Sequence, residues 1–247
     1  MILAANWKMN IPPAEARRFA ERFLAKVPPQ RGRELVFFPS AVAIEAAAQA
    51  FAVRPDVRIG VQDVHWEPKG AFTGATSVAL ATAAGAACAL IGHSERRHVF
   101  GETDEDARRK LGAVLAGGLR PFLCVGEKLE ERERGETESV VLRQLRAACD
   151  GLPAASLDTL VVAYEPVWAI GTGKTATPED AAQVHRVIRG ALDGLGARQV
   201  PILYGGSVSA GNVQALMARP EISGVLVGGA SLDPDGWAEV ARLAAER

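Results

Sequence analysis

The sequence predicts a single (β/α)8-barrel domain over residues 1–247, an α/β fold of eight parallel strands surrounded by helices, and three observations predict it. Eight short apolar or β-branched runs recur along the whole chain. Longer segments with helical spacing lie between them. The 247 residues match the roughly 250 typical of an eight-fold α/β barrel.

Taken in order, the first run, Ile2–Trp7, precedes a helical segment at Ala14–Ala25. Runs follow at Leu35–Phe38, Val57–Val61 and Ala87–Ile91, then a helical segment at Asp104–Ala116. Arg120–Val125 leads to helical spacing at Glu138–Ala148, and Thr159–Tyr164 leads to Pro178–Leu192. Pro201–Tyr204 and Gly224–Val227 complete the strands before a last helical segment at Gly236–Ala245. Each strand must be regained along a helical crossover, which makes the sheet parallel. A doubly wound open sheet would ordinarily carry a G-x-G-x-x-G turn after its first strand. Asn6-Trp7-Lys8-Met9-Asn10 occupies that turn. No linker divides the chain, and the longest connections are 63–76 and 166–177.

Hydrophobic residues make up 48% of the chain and charged residues 23%, with a net charge of −1. That balance supports a large core and supplies no basic field to attract nucleic acid or an anionic membrane, so any anion must be bound locally. Cys88, Cys124 and Cys149 are odd in number and form no CxxC pair, which points to neither a disulfide framework nor a cysteine metal site. The apolar start is too short for an export signal or a membrane span. A reducing cytoplasm is the expected compartment.

In a barrel, active sites assemble from loops at the C-terminal ends of the strands, so the residues just past each run are the candidates. Asn6 and Lys8 are two apart, which in an extended segment puts both on one face; the alternative is a strand-end lysine turned to water. Gly92-His93-Ser94-Glu95-Arg96-Arg97 brings a histidine to the start of a helical turn, whose N–H dipoles disfavour the charged ring. Glu165 emerges from an apolar strand between Tyr164 and Pro166. Burial there would raise its pKa toward that of a general base; the alternative is a structural pair with an arginine such as Arg96.

Gly-Lys-Thr at 173–175 invites a phosphate-loop reading, but Trp168 stands where its first glycine is required. A lid over Pro166–Ala176 fits better, with Val167, Trp168, Ala169 and Ile170 able to cover a ligand. Gly171, Thr172, Gly173, Lys174 and Thr175 complete it, and Thr177-Pro178-Glu179 caps the next helix. Gly205-Gly206-Ser207 and Gly228-Gly229 follow the last two strands, where barrels commonly bind phosphate; tight-turn chemistry alone is the alternative. A serine hydrolase built on Gly92-His93-Ser94 fails because Arg96 replaces the last glycine of G-x-S-x-G.

Together, Ala5-Asn6-Trp7-Lys8-Met9-Asn10, Gly70-Ala71-Phe72-Thr73-Gly74, Ile91–Arg97, Cys124-Val125-Gly126-Glu127, the 164–174 segment and both glycine pairs resemble the triosephosphate isomerase family across essentially the full chain. The resemblance implies isomerisation of glyceraldehyde 3-phosphate and dihydroxyacetone phosphate with no metal and no redox cofactor. The roles it implies are the known assignments of that family. Glu165 shuttles the proton, neutral His93 polarises the carbonyl, Lys8 supplies positive charge, Asn6 fixes the substrate oxygens and Glu95 positions the site through hydrogen bonds with Lys8 or the backbone. The N–H groups of Gly171, Ser207, Gly228 and Gly229 hold the phosphate. A homodimer is implied through the 63–76 loop, with Gln62, Phe72, Thr73 and Gly74 at the interface. Ala5, Asp63 and Ala75 replace the family's commoner glycine, asparagine and glutamate, and the last two leave open which arginine pairs there. A catalytically silent phospho-ligand binder on the same fold is disfavoured because Lys8, His93 and Glu165 are all present.

Overall fold

The computed structural model describes residues 1–170 and 175–245. Strands β1 (Ile2–Asn6), β2 (Glu34–Phe38), β3 (Val57–Val61), β4 (Cys88–Ile91), β5 (Arg120–Val125), β6 (Val161–Tyr164), β7 (Ile202–Tyr204) and β8 (Gly224–Val227) form one closed parallel barrel in sequence order. The register runs Asn6 against Phe38 and Val162 against Ile202, and β8 closes onto β1 with Ala5 against Val227. The helices are α1 (Pro13–Lys26), α2 (Ile44–Phe51), α3 (Val78–Ala83), α4 (Ser94–His98), α5 (Asp104–Ala116), α6 (Leu129–Glu133), α7 (Thr137–Cys149), α8 (Pro178–Gly194), α9 (Val213–Met217) and α10 (Pro234–Leu243). Among them α4 is the helical turn expected after His93, whereas α2, α3, α6 and α9 have no counterpart among the helical segments read from the sequence. Each is a turn or two long, too short for a stripe with helical period to stand out.

Strand alternation builds two cores. Outward residues such as Trp7 and Phe37 pack with Phe19, Phe23 and Phe51 beneath α1 and α2. Inward residues form a separate cluster: Ile2 and Ala4 of β1, Val36 and Phe38 of β2, Phe122 and Cys124 of β5, Val161 and Ala163 of β6. On β3 the inward position is Gly60, where a Cβ would lie 2.3 Å from the Phe38 ring. Phe38 takes that space and meets Phe122 edge-on at 5.2 Å. The barrel interior is therefore a packed core, as side-chain layering requires.

The same alternation, carried one step past the interior layers, reaches Asn6 on β1, Glu165 after β6, Gly205 after β7 and Gly228 after β8. Polar groups and glycines replace branched side chains there, and the barrel opens into a cleft.

Candidate active site

The cleft encloses about 410 Å³ and is lined by Asn6, Lys8, His93, Glu165, Ile170 and the loops after β7 and β8. Asn6, Lys8, His93 and Glu165 come from three strand ends, and the closed barrel brings them together. Strand alternation does not place Lys8: β1 ends at Asn6, and Lys8 lies beyond it in the left-handed region at φ 51°. A turn swings it into the cleft instead, with the Asn6 Oδ1 accepting from the Lys8 N–H at 3.0 Å. Lys8 Nζ donates to Glu95 Oε1 at 2.7 Å, so the lysine does not point free to water.

His93 caps α4: its Nδ1 accepts from the Glu95 N–H at 3.2 Å. That donor leaves no place for a proton on Nδ1. The proton of the neutral ring therefore sits on Nε2 and is donated to Glu165 Oε1 at 3.0 Å; the Asn6 amide nitrogen, 3.2 Å away because its Oδ1 is turned to the Lys8 N–H, is itself a donor and makes no hydrogen bond with that N–H. Burial disfavours a charged ring, but the Glu165 carboxylate outweighs it and raises the His93 pKa. The Nδ1 contact resists this second proton, so the neutral Nε2–H form is the one the geometry fits.

Glu165 is 2% exposed. Burial pushes its pKa up, yet His93 and the Ser94 N–H, which donates to Oε2 at 2.8 Å, together hold it below the ordinary glutamate value. The expectation of a raised pKa is thus overturned for this arrangement, because both carboxylate oxygens have donors. Glu165 does not pair with Arg96. That arginine faces Asp63 at 3.2 Å and Glu102 at 3.3 Å, while Lys110 bridges the same two carboxylates at 2.5 Å each. Asp63, one of the departures from the family pattern, is therefore the partner of Arg96.

Of the expected anion-binding groups, Ser207, Gly228 and Gly229 line the cleft, and a short 3-10 turn begins at Gly229. The glycines sit there for close approach: a Cβ at Gly205 would lie 2.9 Å from Glu165 Cγ, and one at Gly228 would lie 2.9 Å from Lys8 Cε. Gly171, Thr172, Gly173 and Lys174 lie outside the described residues. The first part of the expected lid, Val167–Ala169, is a 3-10 turn, and Trp168 Nε1 donates to Glu127 Oε1 at 2.9 Å. Thr177 and Asp180 form a full capping box at the start of α8.

Gln62 spends its amide inside the chain, donating to the Lys8 and Phe38 carbonyls at 2.7 and 2.9 Å. Phe72–Ala75 is a tight turn closed by Ala75 N–H to Phe72 O at 3.0 Å, with Gly74 at φ 88° and Thr73 exposed at its tip. Sequence reasoning assigned no role to Ser94 or to Glu127. Both work through contacts far along the chain, and only the carboxylate of Glu127 following β5 offered a local signal.

Fold and cleft together define a (β/α)8-barrel enzyme with a buried carboxylate, an imidazole and an ammonium converging at the C-terminal ends of its strands. The family model described as triosephosphate isomerase matches residues 1–244. Similar proteins include the triosephosphate isomerases of Synechococcus sp. (strain JA-3-3Ab), 47% identical over 99% of this chain and 95% of that protein, and of Solibacter usitatus, 48% identical over 97% of each. That of Aquifex aeolicus is 43% identical, again over 97% of each chain. The chain belongs to the triosephosphate isomerase family.

Proposed function

We propose that the chain interconverts dihydroxyacetone phosphate and glyceraldehyde 3-phosphate by proton transfer through an enediolate, with Glu165 as the base. The observation that carries this reading is the meeting of Glu165, His93, Asn6 and Lys8 around one cleft. Glu165 removes a proton from the carbon beside the carbonyl; the C–H electron pair becomes the enediolate double bond, and the carbonyl oxygen takes the negative charge. The Nε2–H of His93 donates to that oxygen, Lys8 stabilises its charge and Asn6 fixes its position. Glu165 then returns the proton to the neighbouring carbon, and a hydroxyl proton passes between the two oxygens through His93.

Substrate entry redirects the His93 Nε2–H from Glu165 to the carbonyl. The carboxylate then keeps the burial that raises its pKa and loses a donor that lowered it, so its basicity rises when it is needed. Glu95 holds Lys8 in place. Ser207, Gly228 and Gly229, with Gly171, supply phosphate donors, and a lid over residues 166–176 excludes water from the enediolate.

A homodimer and a cytoplasmic location complete the reading. Val99 and Phe100, 72% and 66% exposed, put an apolar pair beside the 63–76 loop, whose Gly74 and Ala75 line one cavity with Phe100. Three buried free cysteines suit a reducing compartment, and among the described residues no helix is long and apolar enough to cross a membrane. Cell fractionation reads the location; recovery in an exported fraction would refute it.

The activity test compares the wild type with Glu165→Asp and His93→Gln in a coupled assay without added cofactor or metal. Turnover by the wild type, lowered in both variants by about 100-fold or more, is the expected result. Binding of triose phosphate without conversion by the wild type would replace the isomerase reading with the silent-binder one.

A further inference from the structure

Gly126, at the end of β5, lies directly against the backbone of Glu165. A Cβ there would sit 1.7 Å from the Glu165 carbonyl oxygen and 2.6 Å from its carbonyl carbon, so nothing separates the two segments. The residues on either side of Gly126 bind the same stretch: Glu165 N–H donates to Val125 O at 2.8 Å, and Val167 N–H donates to Glu127 O at 3.0 Å. Segment 125–127 is therefore the bed on which Glu165 rests.

Gly126's own two backbone groups are both taken by one side chain. Gln144 of α7 accepts from Gly126 N–H at 2.7 Å and donates to Gly126 O at 3.2 Å. It is 4% exposed. Because the Gly126 N–H can only donate and its carbonyl only accept, the orientation of the amide is fixed. Among the natural side chains of similar reach, only glutamine presents one acceptor and one donor in that plane without charge.

We propose that Gln144 is a positioning residue for the reaction, setting the Glu165 carboxylate through the backbone of Gly126. The inference rests on Glu165 being the catalytic base. Gln144 stands behind the barrel wall and does not line the cleft, so its effect reaches the chemistry only through the strand end it clamps. A misplacement of a reacting group by about 1 Å costs on the order of 100-fold in rate. Release of Gly126 acts on the base in this way, since the two hydrogen bonds of the Gln144 amide go to Gly126 and not to the loops after β7 and β8.

The test is a double-mutant cycle on the intact enzyme, with kcat and KM expressed per folded molecule and the melting temperature recorded beside them. Gln144→Met keeps the volume and removes both hydrogen bonds; Gln144→Glu keeps the acceptor for Gly126 N–H and serves if the first variant fails to fold. The expected result is a fall in kcat of about 10- to 100-fold with KM within about twofold. In a Glu165→Asp background, where the carboxylate is already displaced, the same change should cost less than about threefold.

A lower melting temperature with kcat unchanged would mean that Gln144 only satisfies a buried peptide, and the proposal would fall. Losses that multiply fully with Glu165→Asp, or a rise in KM alone, would overturn it as well. An unimpaired Glu165→Asp enzyme would remove the base assignment itself, and the role of Gln144 with it, a result distinct from the others.

Discussion

Gly205 and Gly228 look interchangeable in the sequence, yet they face different partners. A Cβ at Gly205 meets Glu165 Cγ at 2.9 Å, and the carboxylate there is hemmed in by His93 and the Ser94 N–H. A Cβ at Gly228 meets Lys8 Cε at the same distance, near the free end of a flexible side chain. Gly205→Ala should therefore displace the base and lower kcat by about 10- to 100-fold. Gly228→Ala should shift the Lys8 ammonium and chiefly raise KM. Steady-state kinetics on both variants checks this; equal effects on KM alone would show that Gly205 does not set the carboxylate.

At the scale of the element, α8 carries a histidine whose environment fixes a pH dependence. His185 is fully buried, with its Nδ1 3.1 Å from the Glu221 carbonyl and its ring edge-on to Tyr164. A carbonyl only accepts, so Nδ1 carries the proton and the ring is neutral. Burial lowers its pKa to about 4. The unfolded chain titrates near 6.5, so His185 contributes its full stability above that value and loses it as pH falls toward 4. Urea unfolding should show a loss of about 2 kcal/mol from this group between pH 7.5 and pH 5. His185→Gln should start from a lower stability and lack that part of the slope; an unchanged slope would assign it to other groups.

On the scale of the whole molecule, Val99 and Phe100 put an exposed apolar pair beside the 63–76 loop. The turn at Thr73 projects from the same side: the 63–76 loop and Phe100 line one cavity, with Arg96 pairing Asp63 between them. Sedimentation equilibrium should give twice the 26.1 kDa of one chain. Phe100→Asp should move the population toward monomer, since it removes apolar surface from the contact and adds a carboxylate that has to be desolvated there. A wild type that sediments as a monomer at micromolar concentration would refute the dimer.

The sequence by itself determined the barrel and most of the cleft. Strand and helix periodicity depend only on near neighbours, so eight alternating runs specify eight βα units, and the ends of those runs point to Asn6, Lys8, His93 and Glu165. The capping residues of α8 are equally local. Tertiary structure alone decided that Lys8 enters by a turn, that Asp63 takes Arg96, that Gln144 clamps Gly126, and that Glu165 rests with its pKa lowered and not raised. The Glu165–Ser94 bond joins residues 71 apart in sequence, and that from Gln144 to Gly126 joins residues 18 apart on different elements. A carboxylate's proton affinity is set by donors within about 3 Å, and no periodicity in the chain records which donors the closed barrel will bring that near.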